Sequence, residues 1–385
     1  MTPEQLRRGA RISVSLDVSA VPDQLVGVGR YVVGIVSALA ASENVELCLI
    51  SRRGDRERWH ELLPGGRVWP VVPRSRPARL VWEQAAMGSL VNRSEVRVHH
   101  SPHYTMPERC RVPTVVTVHD MTFFDHPEWH ERGKVAFFRR AIRVAARKAD
   151  VVICDSFKTA RRLEEVCNPV GLVSVVHLGV DLERFSSLEP IAGEDRLVLG
   201  RFGVEQPYIA FVGTLEPRKG VLALVRAFDE VAAANPDITL VLAGKDGWGM
   251  ESLGAEISAI HHANRVRRLG YVPEPLVAPL LRSAAVVVYP SFEEGFGLPV
   301  LEALACGAPV VTTRGSAMEE VAGDVAWLVE PGNVEELAWA ITSAICEDSR
   351  AADRRREAGV AKASEMSWVS TAEGHVRAYL AALGR

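Results

Sequence analysis

The sequence predicts an α/β protein of two doubly wound domains, each a parallel sheet wrapped by helices, with a cleft between them. Three observations lead there. Short β-branched runs alternate with helical patterns along nearly the whole chain, and such alternation signals parallel strands joined by helical crossovers. The alternation fades once, between about Val180 and Gln206, and then resumes. At 385 residues the chain is long enough for two domains of ordinary size.

In chain order, "RISVSLDV", "VELCLIS", "TVVTVHD", "ADVVICDS" and "VSVVHLG" are the strands of the first half, with helical periodicity starting near Gly29, Lys134 and Ser156. The stretch 181–206 is charged and broken by Pro190 and Gly193, which reads as a linker. A second series follows: "YIAFVGTL", "ITLVLAG", "RVRRLGYV", "AAVVVYPS" and "APVVTT", each with a helical segment behind it. The closing "SWVSTAEGHVRAYLAALG" is one amphipathic helix. These patterns set domains at 1–180 and 207–362. Ligands of such sheets sit beyond the carboxyl ends of the strands.

Composition narrows the function. With 48% apolar and 24% charged residues the chain is globular, and a net charge of −3 gives no basic signature for nucleic acid. Cys48, Cys110, Cys154, Cys167, Cys306 and Cys346 are scattered without a C-x-x-C pair, which is cytosolic usage. The amino terminus lacks the apolar core of a signal peptide, and no run approaches the roughly 18 apolar residues that span a bilayer. The expected location is the cytoplasm, including the inner face of the membrane.

The most informative stretch is "EEGFGLPVLEALACGAPVVTT", Glu293 to Thr313. The apolar run before it predicts a buried strand, and Pro299 with "VLEALAC" predicts a helix starting at that proline. Gly295 and Gly297 let the backbone approach a ligand, and the free N–H groups of the first turn attract an anion such as phosphate. Glu294 falls in the loop and Glu302 in the first helical turn. Carboxylates beside an anion site are useful for binding hydroxyls, since like charges repel. A sugar nucleotide carries both a diphosphate and a polyol.

A second loop, in "YIAFVGTLEPRKGVLALVRAF", presents Arg218 and Lys219 after a strand that ends at Gly213. Cations at a helix start oppose the helix dipole, and an anionic ligand resolves that conflict. In the first domain, "GVGRYV" has Gly27 and Gly29 but Val32 where a dinucleotide fingerprint needs a third glycine. His119 ends "TVVTVHD" and so faces the cleft. His99, His100 and His103 in "VHHSPHY" match no common metal frame, and no D-x-D pair occurs, so no metal is expected. The helix "GKVAFFRRAIRVAARKAD" carries Arg139, Arg143 and Arg147 at i, i+4 spacing beside Phe137 and Phe138. That is either a solvated face or a face for anionic lipid.

Taken together, these residues resemble the retaining glycosyltransferases of family four (glycosyl transferases group 1), with the two-domain GT-B architecture. "SFEEGFGLPVLEALACGAPVVTT" resembles their E-x7-E signature, "VGTLEPRKG" their phosphate-binding turn, "GVGRYV" their first-domain glycine loop and "VHD" their cleft histidine. The tail resembles their returning helix, so 363–385 would complete the first, acceptor-side domain.

The resemblance implies that Arg218 and Lys219 hold the diphosphate of a nucleotide sugar, with GDP-mannose the named example, and that Glu302 binds the ribose. It implies that Glu294 orients the transferred hexose, that Gly295, Phe296, Gly297 and Leu298 support sugar and phosphate, and that Gly27, Gly29 and His119 approach from the first domain. Many relatives have an arginine after the glycine that is Gly213 here; this chain has Thr214, which would offer one hydroxyl. The implied reaction needs neither metal nor enzymic nucleophile and transfers the hexose to a saccharide or lipid-linked acceptor of a cell-surface glycoconjugate. A catalytically silent GT-B nucleotide-binding subunit and another GT-B enzyme, such as a sugar-nucleotide epimerase, are the alternative readings.

Overall fold

The computed structural model describes residues 11–23 and 27–385. The expectation of a leaderless amino terminus falls on residues 1–10, outside the described residues. The chain divides into two compact units, one formed by Met1–Gly179 with Trp368–Arg385 and one by Val180–Ser367.

The first unit holds a seven-stranded sheet: β1 (Ile12–Asp17), β2 (Val45–Arg52), β3 (Arg67–Val72), β4 (Val98–Ser101), β5 (Thr114–Val118), β6 (Val151–Cys154) and β7 (Leu172–Val175). Its order is β3-β2-β1-β4-β5-β6-β7, and every neighbouring pair is parallel. All residues of β1, β4, β5 and β6 are buried, as strands covered on both faces must be. One core packs Val116, Val118, Ile142 and Leu163, and another packs Ile50, Val72, Met87 and Val91.

Two of these strands have no counterpart in the sequence expectation. β3 contains Pro70, which lacks a backbone donor; the strand lies at the sheet edge, where that loss is tolerated. β4 is "VHHS", whose two histidines hide an apolar run, yet it lies at the centre of the sheet.

The second unit holds a six-stranded parallel sheet: β8 (Tyr208–Val212), β9 (Thr239–Ala243), β10 (Val266–Gly270), β11 (Val286–Tyr289), β12 (Val310–Thr313) and β13 (Trp327–Val329). Its order is β10-β9-β8-β11-β12-β13. The helices Val221–Ala234 and Val334–Ile345 pack against each other beside it.

The domain boundaries move from those expected. Residues 181–206 belong to the second unit and contain the helix Glu194–Gly200. Arg282 ties the segment to the second unit: it donates from Nε to Asp195 at 2.6 Å and from NH1 to the Ser186 carbonyl at 2.6 Å. The returning helix starts at Trp368, not at 363, because Asp348 caps a separate helix, Ser349–Glu365, that packs on the Leu298–Ala305 helix through Gly359 and Leu304.

Candidate active site

In the six-stranded sheet the strand order reverses between β8 and β11. Open α/β sheets bind ligands at such a point, because the loops leaving the two strands diverge there. After β8 the chain runs through Gly213 and Thr214 into a tight turn, Pro217–Lys219. After β11 it runs to Gly297 and enters the helix Leu298–Ala305. The Phe292 N–H donates to the Arg218 carbonyl at 2.8 Å, so backbone ties the two loops together. Gly220, at φ +67°, packs so closely that a Cβ there would run into the Pro290 carbonyl oxygen.

This junction gathers three of the residues singled out from sequence. Glu294 accepts from Lys219 Nζ through Oε1 and from Arg218 NH1 through Oε2, the latter at 3.0 Å. Arg218 also donates from Nε to Glu216 at 2.8 Å. Burial pushes the Glu294 carboxyl up, but Lys219 and Arg218 beside it outweigh that and hold it at about 2. Burial lowers Lys219 against the opposing pull of Glu294; at Arg218 burial also pulls the value down, but the two carboxylate partners, Glu294 and Glu216, together outweigh it and hold the proton more tightly.

The rest of the signature frames them. Gly297 adopts φ +108° as the N-cap, where a side chain would crowd Met318, and Gly295, Phe296 and Leu298 complete the turn into the helix. The helix therefore begins at Leu298 with Pro299 second, one residue earlier than expected. This places Glu302 fifth in the helix, beyond the first turn, where it is 5% exposed. Thr214 is half-buried at the head of the Arg218 loop.

Gly27, Gly29 and His119 belong to the first unit. Gly27, at φ +48°, caps the helix Val28–Ala40, and Gly29 is buried in its first turn. The residues just before, 24–26, lie outside the described residues. His119 is buried, with Nδ1 2.7 Å from Asp155 Oδ2 and Nε2 2.8 Å from the Pro102 carbonyl. Burial alone would lower the imidazolium, yet the carboxylate and the carbonyl raise it above its ordinary value. With acceptors at both ring nitrogens, His119 is held as a double donor.

Sequence reasoning missed Asp155 and Glu216. Asp155 directly follows β6, at the same sheet edge as His119, so the positional argument that picked His119 applied to it equally.

The histidine cluster resolves differently from a metal frame. His99 bonds Ser15 at 2.9 Å and Ser101 at 3.1 Å, and His100 bonds Tyr379 and Thr117 at 2.9 Å each. Among the described residues no group of three His, Cys, Asp or Glu could hold a metal ion.

The arginine stripe is partly committed to the fold. Arg139 donates to the Phe123 and Phe124 carbonyls at 2.7 and 3.3 Å, and Arg143 lies over the Phe124 ring at 5.1 Å. Arg147 is exposed. Among the described residues no helix is long and apolar enough to cross a membrane.

Residues 206–347 match the family described as "Glycosyl transferases group 1", and residues 26–184 the family described as "Glycosyltransferase Family 4". The chain is 27% identical to the O-antigen chain mannosyltransferase B of Escherichia coli, over 92% of this chain and 96% of that one. Sucrose-phosphate synthase from Thermosynechococcus elongatus superposes with a TM-score of 0.76 at 20% identity, over 96% and 98% of the two chains. HepE of Anabaena, solved in complex with UDP-glucose, gives 0.75 at 20% identity, over 96% and 99%. Two parallel-sheet units, loops joined at the β8/β11 reversal and two consecutive family matches place this chain in the family-four glycosyltransferases, with the GT-B fold.

Proposed function

We propose that the protein is a retaining, metal-independent hexosyltransferase that moves a sugar from a nucleoside diphosphate to a saccharide or lipid-linked acceptor. One observation carries this reading: Arg218 and Lys219 stand together at the reversal of the second sheet, beside the N-terminus of the Leu298–Ala305 helix. Two cations and a helix N-terminus suit a diphosphate. The likeness to an O-antigen mannosyltransferase supports GDP-mannose as donor and a surface polysaccharide as product, while the neighbour solved with UDP-glucose makes a UDP-sugar the first donor to compare.

The chemistry follows from charge. As the bond from sugar to diphosphate breaks, negative charge grows on the leaving oxygen, and Arg218 and Lys219 stabilise it. That oxygen takes the acceptor's proton on the same face, so the configuration is retained without an enzymic nucleophile. Glu294 orients the hexose and Glu302 takes the ribose. The exposed part of the arginine stripe holds the enzyme against anionic lipid at the inner membrane face.

The test is incubation of the purified protein in EDTA with GDP-mannose or UDP-glucose and a mannose oligosaccharide, with products followed by NMR. An α-linked product from the α-linked donor is the expected outcome. Inverted product, donor epimerisation without transfer, or a requirement for added magnesium would each refute the reading.

A further inference from the structure

The two cations assigned to the diphosphate already hold an anion. Lys219 and Arg218 both bond the Glu294 carboxylate, one to each oxygen, while Glu216 bonds Arg218 alone. The four charged side chains sum to zero, and their charged ends are largely withdrawn from water: Lys219, Glu294 and Glu216 are 13%, 14% and 19% exposed.

A diphosphate entering this arrangement would bring further negative charge against Glu294 where screening is weak. The diphosphate and the observed position of Glu294 therefore exclude each other. Glu294 is the carboxylate bonded to both cations, so it is the one a diphosphate must replace. It stands on the loop after β11, next to Gly295, and once released it is a charged acceptor without its partners, ready for sugar hydroxyls.

We infer that Glu294 is a specificity-determining counter-anion: its carboxylate bonds the two cations proposed to hold the diphosphate and turns to the sugar only when a diphosphate takes over Arg218 and Lys219. The inference rests on the diphosphate clamp proposed above and adds an order to it. A free hexose finds Glu294 tied to its cations and is not oriented. Sugar recognition is thereby conditional on the two phosphates.

The test is titration calorimetry of the full chain in EDTA with GDP, UDP and inorganic pyrophosphate. Glu294→Gln keeps the shape and removes the competing charge. It is expected to bind pyrophosphate and the preferred nucleoside diphosphate about tenfold more tightly than the parent, although sugar transfer falls. Glu216→Gln frees one bond instead of two and is expected to gain less. Unchanged or weaker binding by Glu294→Gln overturns the inference, as does an equal gain in Glu216→Gln. Should Glu294→Gln fail to fold, Glu294→Asp replaces it: one methylene shorter, it cannot span both cations, and pyrophosphate binding that does not tighten overturns the inference equally. Lys219→Ala separates this inference from the clamp. Lost diphosphate binding in that variant leaves the clamp standing even where Glu294→Gln shows no gain, whereas undiminished binding removes the clamp and the counter-anion role together.

Discussion

Tyr31 Oη lies 2.8 Å from His375 Nε2, across 344 positions of sequence. Tyr31 is on the first long helix of the chain and His375 on the last, and both are buried. The same Tyr31 hydroxyl is 3.0 Å from Thr117 on β5, while His100 on β4 reaches Tyr379. The last helix is thus part of the polar core of the first unit. A buried network of this kind is costly when one member is lost, because the partner left behind keeps its desolvation penalty.

Tyr379→Phe should therefore destabilise the first unit by about 1 to 3 kcal/mol, since it strands His100 Nδ1. Urea unfolding followed by tryptophan fluorescence measures it. The melting shift produced by a nucleoside diphosphate should be preserved, because the proposed clamp lies in the second unit. A loss of that shift would mean that the clamp depends on the first unit's core.

Glu294→Ala should lower turnover by roughly a hundredfold or more, about 3 kcal/mol in barrier. It should also lower the melting temperature, because two partly buried cations lose their shared carboxylate. Transfer at the parental rate in a steady-state assay would remove Glu294 from the reaction.

A nucleoside diphosphate at a hundredfold excess over its Kd should stabilise the folded state by about 2.7 kcal/mol, seen as a clear rise in melting temperature that persists in EDTA. In Lys219→Ala most of the rise should vanish, while the bare nucleoside should bind parent and variant about equally weakly. A rise that survives intact in the double Arg218→Ala, Lys219→Ala protein contradicts the clamp.

Arg143→Gln with Arg147→Gln should reduce flotation with anionic vesicles, and the parent's flotation should itself weaken with salt. Arg139 is left in place because it caps two backbone carbonyls, so a triple replacement would confuse unfolding with lost attraction. Flotation unaffected by the pair of substitutions makes the stripe an ordinary solvated face.

Acid should destabilise the first unit well above the carboxylate range. Burial lowers His99 and His375 to about 4 in the folded state, against about 6.5 unfolded. Each keeps its neutral form on folding, so its contribution is full above pH 6.5 and is lost as the pH falls toward 4. The cost is on the order of 2 kcal/mol per histidine at pH 5. His119 acts in the opposite sense: raised by Asp155 and Pro102, its contribution is full below 6.5 and fades as the pH climbs through its folded value. Melting temperatures from pH 8.5 to 5 check both. His99→Gln should flatten the acid side and Asp155→Asn the alkaline side; slopes identical to the parent's would contradict the assignment.

What the sequence by itself determined is what is local. Hydrophobic periodicity marked ten of the thirteen strands found among the described residues, and glycine and proline chemistry located the turn from β11 into its helix, because burial pattern and turn geometry are written in neighbouring residues. The resemblance, resting on four short motifs, placed Arg218, Lys219 and Glu294 in one function. The tertiary structure alone decided who meets whom. Strand order sets β8 beside β11, and only that adjacency brings Arg218 within 3.0 Å of Glu294, 76 positions away. It also turned a charged stretch at 181–206 into part of the second unit, made "VHHS" a central strand, and gave His119 its carboxylate in Asp155. Periodicity records that a side chain is buried; its partner is chosen by packing between segments far apart in sequence, where no local pattern reaches.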